Sequence, residues 1–161
     1  MRQSIRKPKA AFTLVEIMIV VAIIGLVGTL ALPSFAKARR KSMQTAFVED
    51  LRILSDGIFV WAQNSGRYPT DGPTGGLPVG MDAEDFKGVT WTTATPMGGR
   101  WDYDAANAAC GSCKAAITVI TPTNASDPTW REIDALVDDG DLTTGNFRII
   151  RSDRYSYVLE Q

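Results

Sequence analysis

The 161 residues suffice for one domain of ordinary size around a single hydrophobic core, which argues against a multi-domain enzyme. The formal charge is -1, yet Arg2, Arg6, Lys7 and Lys9 all lie in the first eleven positions, so beyond them thirteen Lys and Arg face 18 Asp and Glu and a generally basic surface for nucleic acid is not indicated. There is no histidine, which removes the commonest general base and metal ligand and leaves no ordinary hydrolase triad to build.

From Phe12 to Leu32 there are 21 residues with a single charge, Glu16. A secretory signal has a shorter apolar stretch, roughly 7 to 15 residues, closed by a small-residue cleavage site. Here the stretch is longer and runs into Leu32-Pro33-Ser34-Phe35 and a basic run. At about 1.5 Å per residue it spans about 31 Å, the hydrocarbon thickness of a bilayer, so a transmembrane helix is expected. Its orientation is a near tie by positive charge, with four Lys or Arg in the leader and four beyond the helix, Lys37, Arg39, Arg40 and Lys41.

Glu16 is the residue that asks for an explanation. A carboxylate near the centre of a membrane helix costs roughly 3 kcal/mol, less near the interface, and usually finds a partner. Two readings stand. If the chain is cut between Ala11 and Phe12, a new ammonium appears at Phe12, and a neighbouring copy of the helix can present it to Glu16. Alternatively, Glu16 reaches back to the headgroups or is neutral in the membrane.

The string Ala11-Phe12-Thr13-Leu14-Val15-Glu16, after a short basic leader and before Ile17 to Gly25, resembles the class III signal of type IV prepilins and pseudopilins. Gly25 and Pro33 fall where that family places a helix-loosening glycine and a kinking proline. The resemblance implies cleavage after Ala11 by a prepilin peptidase at the cytoplasmic face and methylation of the new amine of Phe12. It also implies a cytoplasmic leader, a single pass through the inner membrane with the head in the periplasm, and later assembly into a periplasmic or extracellular filament. One position departs from the pattern: Ala11 stands where the family nearly always has glycine.

After Pro33 the helical period continues. Met43, Phe47, Leu51, Leu54, Ile58 and Trp61 recur every three or four residues and define one apolar face. Asn64-Ser65-Gly66 supplies a stop. The expectation is a single helix from Phe12 to Asn64 bent at Pro33, the alternative being two helices that meet there. Lys37, Arg39, Arg40 and Lys41 sit where the helix leaves the bilayer and read as a solvated or lipid-facing run rather than a DNA site.

Residues 66–100 hold eight of the 14 glycines and four of the 8 prolines, so they read as loop. Within them Gly66-Arg67-Tyr68-Pro69-Thr70-Asp71 resembles the segment that turns the chain back after the long helix of many pseudopilins. Strand signals follow at 100–104, 116–121 and 155–159, with a weaker one at 147–150. Between them Asp127-Pro128-Thr129-Trp130 opens a short helix capped either by Asp127 or by a Thr129–Glu132 box, with Trp130, Ile133 and Val137 facing inward.

The expected organisation is a leader at 1–11, a membrane or filament-core helix at 12–35, an amphipathic helix at 36–65 and a head at 66–161. The fold class is α+β and pilin-like, the long helix packing against a small antiparallel sheet of three or four strands.

Cys110 and Cys113 cannot complete a four-thiolate zinc site, and because the pair precedes a strand instead of opening a helix it lacks the redox setting; a disulfide closing a hairpin loop is expected. Asp134, Asp138, Asp139 and Asp141, with Gly140, form an acidic turn, and the resemblance to major pseudopilins implies a calcium site in a late loop, with Asp138, Asp139 and Asp141 as candidates. Against it, the stretch lacks the spacing of an EF-hand, and acidic residues around a glycine often simply end a helix in water. No cofactor is expected to be required, and no catalysis.

The reading that follows is a structural subunit of a type IV pilus-type filament. Its partners are copies of itself and related pilins, the prepilin peptidase and methyltransferase, an inner-membrane assembly platform and a cytoplasmic assembly ATPase, all as the resemblance implies. A second reading is a pseudopilin of a type II secretion system, toward which Gly66-Arg67-Tyr68-Pro69 and the acidic turn lean, while the Cys-x-x-Cys loop leans toward a pilin. A third, from another class, is a bitopic membrane protein whose head binds a ligand or partner.

Overall fold

The computed structural model describes residues 12–105, 113–121 and 128–161. The chain divides into two compact units between Lys41 and Ser42.

One helix, α1 (Leu14–Ser65), runs through both units with Pro33 inside it, so the alternative of two helices meeting at the proline is not what forms. It begins on a cap that went unread in the sequence. The Thr13 hydroxyl accepts the Glu16 amide at 3.2 Å, satisfying one of the donors left over at a helix start. Thr13-Leu14-Val15-Glu16 is the spacing of a capping box, and it also sets an acidic side chain in the first turn, against the positive end of the helix dipole.

In the second unit, Phe47, Leu51, Leu54 and Ile58 of α1 are buried as their spacing predicts, whereas Met43 and Trp61 are only half-buried. Gln44 and Val48 join the buried face. Gln44 is tolerated there because its amide donates to the Glu132 carboxylate at 2.6 Å.

The sheet has four antiparallel strands, β1 (Arg100–Ala105), β2 (Ala115–Ile120), β3 (Phe147–Arg151) and β4 (Arg154–Glu160), in spatial order β1-β2-β4-β3. All four runs read as strand signals are strands. Ser152-Asp153 makes a two-residue turn between β3 and β4, and the passage from β2 to β3 carries a second helix, α2 (Pro128–Val137). That helix starts one residue before Thr129, so the Thr129–Glu132 box does not cap it; Pro128 takes the first helical position, where a missing N–H costs nothing. Asp127 lies outside the described residues. Trp130 and Ile133 are buried and Val137 half-buried, as expected.

The core is aromatic. Phe47 stacks on Trp101 with centroids 4.9 Å apart and meets Trp130 edge-on at 5.5 Å, and Trp130 stacks on Tyr155 at 4.3 Å. Rings from α1, α2, β1 and β4 thus meet at one point, each pair adding to its burial roughly 0.5–1.5 kcal/mol from favourable geometry. The 66–99 segment is loop, interrupted by a single 3-10 turn at Ala83–Phe86, and contributes Met81, Phe86 and Trp91 to the same core. The Tyr68-Pro69 pair is held down by the Tyr103 hydroxyl, which donates to the Pro69 carbonyl at 3.2 Å.

Aromatic and acidic residues alternate in β1, but the acidic side is not in water. Asp102 and Asp104 are buried with Thr118 and Ser156 on the sheet face away from Trp101 and Tyr103. Each is provided for. The Thr118 hydroxyl donates to Asp104, Thr118 and Ser156 share a hydrogen bond of 2.7 Å, and Asp102 accepts the Gly75 amide at 2.9 Å with Arg154 at 3.6 Å. Burial nevertheless raises the Asp102 pKa above the usual carboxylate value.

Candidate functional site

The first functional feature is the amino-terminal part of α1. Every described residue from Phe12 to Phe35 is exposed except Gly28, which is half-exposed, although the stretch is almost wholly apolar. Leu14–Ser65 is, among the described residues, a helix long and apolar enough to cross a membrane. So large an apolar surface is not stable in water, and it belongs in lipid or against other apolar helices.

Ala11 lies outside the described residues. Phe12 stands just before the helix, 76% exposed, and Glu16 one turn into it, also exposed. A Cβ added at Gly25 or at Gly28 would meet nothing within 4 Å, so no neighbour within the chain requires a glycine at either place. Pro33 lies within continuous helix.

The second feature is the turn after α2. One carboxylate oxygen from each of Asp134, Asp138 and Asp139 lies within 4.8 Å of the others. Asp134 is fully buried and neither of its oxygens has a hydrogen-bond partner. Burial first, then the charges of Asp139, Asp138 and Asp141, push its pKa up to about 6, while the Gly140 amide draws it down from outside hydrogen-bonding geometry.

The neighbours of Asp134 are better served. Asp138 accepts the amides of Asn146 and, at 3.3 Å, Phe147. Gly145, at φ +71°, permits this approach, because a Cβ there would collide with the Asp138 carboxylate. Asp139 accepts the Asp141 amide at 2.8 Å and the Thr144 hydroxyl at 2.8 Å. Asp141 is turned to the Thr143 hydroxyl and amide, at 2.7 and 3.0 Å, which hold its pKa below the usual value. Of the candidate set, the structure brings Asp138 and Asp139 together with Asp134, a buried helix residue, while Asp141 is turned to Thr143. The spacing of Asp134, four before Asp138 and so one helical turn, was the available signal.

Cys113 is buried and disulfide-bonded at the foot of β2; Cys110 lies outside the described residues. An open groove of about 610 Å³ beside it is lined by Phe59, Ala62, Tyr68 and the Lys114–Glu160 ion pair, with no nucleophile set against a base.

Comparison with known proteins agrees with this layout. Residues 6–32 match the prokaryotic N-terminal methylation motif. The chain is similar to proteins named type II secretion system core protein G. It is 29% identical over 65 residues to that of Aeromonas hydrophila, covering 40% of this chain and 46% of the relative. It is 31% identical over 65 residues to that of Klebsiella michiganensis, with the same coverage, 40% and 46%. To that of Klebsiella pneumoniae it is 34% identical over 59 residues, covering 37% and 42%. The chain thus spans less than half the length of the curated relatives it matches. No solved structure matches significantly. A methylation motif, an exposed apolar helix fit for a single-pass inner-membrane anchor, and a four-stranded antiparallel sheet packed on the same helix further along identify the chain as a member of the type IV pilin and pseudopilin family.

Proposed function

We propose that this chain is a pseudopilin, a structural subunit of the filament of a type II secretion system. The observation that carries this is the conjunction of the 6–32 motif with relatives named as core proteins of that system. It moves the pseudopilin ahead of the type IV pilus subunit that the sequence alone put first. The apolar helix stores the subunit in the inner membrane with its head in the periplasm. A prepilin peptidase and methyltransferase process it between Ala11 and Phe12. A membrane platform and a cytoplasmic ATPase then stack copies so that Glu16 of one meets the Phe12 amine of the next. The role is mechanical and no catalytic step is assigned to the chain.

Mass spectrometry of the mature chain tests processing. It should begin at methylated Phe12, and an uncut leader or another start removes the paired amine on which the scheme rests. Deletion of the gene should stop export of secreted enzymes and leave surface fibres untouched; lost fibres with normal secretion would restore the pilus reading.

The acidic turn fits a hard divalent cation such as calcium, which takes several carboxylate oxygens. Asp134, Asp138 and Asp139 would hold it, and it would supply the positive charge that the buried, unpartnered Asp134 lacks. At free calcium 100 times the dissociation constant, binding adds about 2.7 kcal/mol, roughly 5–15 °C in Tm. Tm should fall by that much with chelator, and Asp134→Asn should abolish the difference. Equal melting with and without calcium would show that the turn holds no cation.

A further inference from the structure

We infer that Lys37, Arg39, Arg40 and Lys41 form a collar that binds the phosphates of anionic phospholipid headgroups at the face where α1 leaves the bilayer. The inference requires that the apolar helix lie in a membrane, but not that the filament be a secretory one.

The position comes first. Leu14 to Phe35 is continuous, exposed helix of about 32 Å, a hydrocarbon thickness. The four cations begin two residues later, within the next two turns, at the depth of the headgroups.

Their arrangement around the helix comes second. At about 100° per residue, Lys37 at 0° is followed by Arg39 near 200°, Arg40 near 300° and Lys41 near 40°. Arg40, Lys37 and Lys41 lie within about 100° of one another, Arg39 stands on the opposite side, and all four are exposed. A protein partner or a DNA duplex meets a helix on one side, whereas a headgroup layer meets it on every side.

The missing counter-charge comes third. No Asp or Glu occurs on α1 between Glu16 and Glu49, so Lys37, Arg39 and Arg40 have no carboxylate within one turn in either direction. Among the described residues no ion pair is formed by these three. Three cations with no carboxylate in reach along the helix, next to an almost uncharged span, call for anions supplied from outside, and lipid phosphates are at that height. Salt-sensitive retention in the membrane before extraction into a filament is the consequence.

The test uses the full chain in vesicles of phosphatidylcholine with about 20% phosphatidylglycerol, carrying trace spin-labelled lipid of either kind. Motionally restricted lipid should favour phosphatidylglycerol in 0.1 M salt and lose most of that preference in 1 M salt. The variant Lys37→Gln/Arg39→Gln/Arg40→Gln/Lys41→Gln keeps helix-forming side chains and should lower the preference about fivefold or more, roughly the effect of one Lys or Arg near an anionic surface. Arg39→Lys/Arg40→Lys should leave it unchanged. Should the quadruple variant fail to resist alkaline extraction from membranes, the pairs Lys37→Gln/Lys41→Gln and Arg39→Gln/Arg40→Gln, on different sides of the helix, should each lose part of it. Equal preference in native and variant chains overturns the inference. So does a collar-dependent grip on a labelled DNA duplex by a chain that shows no lipid preference.

Discussion

Trp130→Ala should cost about 3–5 kcal/mol of stability in the head, as expected for a large ring buried in the core. Trp130 is 1% exposed, and its ring is stacked on Tyr155 at 4.3 Å, crossed by Phe47 at 5.5 Å and flanked by Phe147 at 6.4 Å. Removing it opens a cavity bounded by three large rings that cannot collapse inward without losing one another. Against a total stability of about 5–15 kcal/mol for a domain of this kind, most of the margin would go. Urea unfolding of the full chain in detergent, followed by near-ultraviolet circular dichroism of the head, gives the number. A loss below about 1 kcal/mol would mean that the ring cluster is not what binds α2 and the sheet to α1. Trp130→Phe keeps an aromatic face toward Tyr155 and should recover much of the loss.

Glu16→Leu should abolish filament assembly while leaving membrane insertion intact or improved. Glu16 lies one turn into the span, where a carboxylate costs less than the roughly 3 kcal/mol of the bilayer centre but still costs, so leucine relieves a penalty. The helix start is unaffected, because the Thr13 hydroxyl accepts the backbone amide of residue 16 and not its side chain. Folding and anchoring are thereby separated from the proposed pairing with the Phe12 amine of a neighbouring copy. Alkaline extraction measures insertion, and sedimentation of sheared filaments measures assembly. Glu16→Gln keeps shape and hydrogen bonding without charge, and should fall nearer to leucine than to the native chain. Native yields of filament from the leucine variant would end the pairing scheme and return Glu16 to the role of a helix-start residue in its first turn.

Local patterns along the chain carried much of this structure. The apolar run, the helical period after Pro33 and the Asn64-Ser65-Gly66 stop placed α1 within two residues at its start and one at its end, and four short runs of strand-forming residues marked every strand. Both are legible because a helix or strand shows its buried face in its own sequence. The same reasoning explains the gaps. Met43 and Trp61 fit the period and yet sit at the ends of the stretch covered by the sheet, so they are half-exposed, while Gln44 is buried because Glu132, 88 positions away, meets its amide. The alternation at 100–104 does not reveal that Asp102 and Asp104 are buried; Gly75, Thr118 and Arg154 arrive from elsewhere in the chain to serve them.

The sequence by itself determined the membrane-length span, the lone acid within it and the processing motif, since each is a run of neighbouring residues whose chemistry does not depend on what folds against it. Only the tertiary structure decided the strand order β1-β2-β4-β3, the aromatic centre and the burial of Asp134 among Asp138 and Asp139. Those depend on which distant segments meet, and the free energy that selects them, apolar area removed from water against the desolvation of a few carboxylates, is not written in any local pattern.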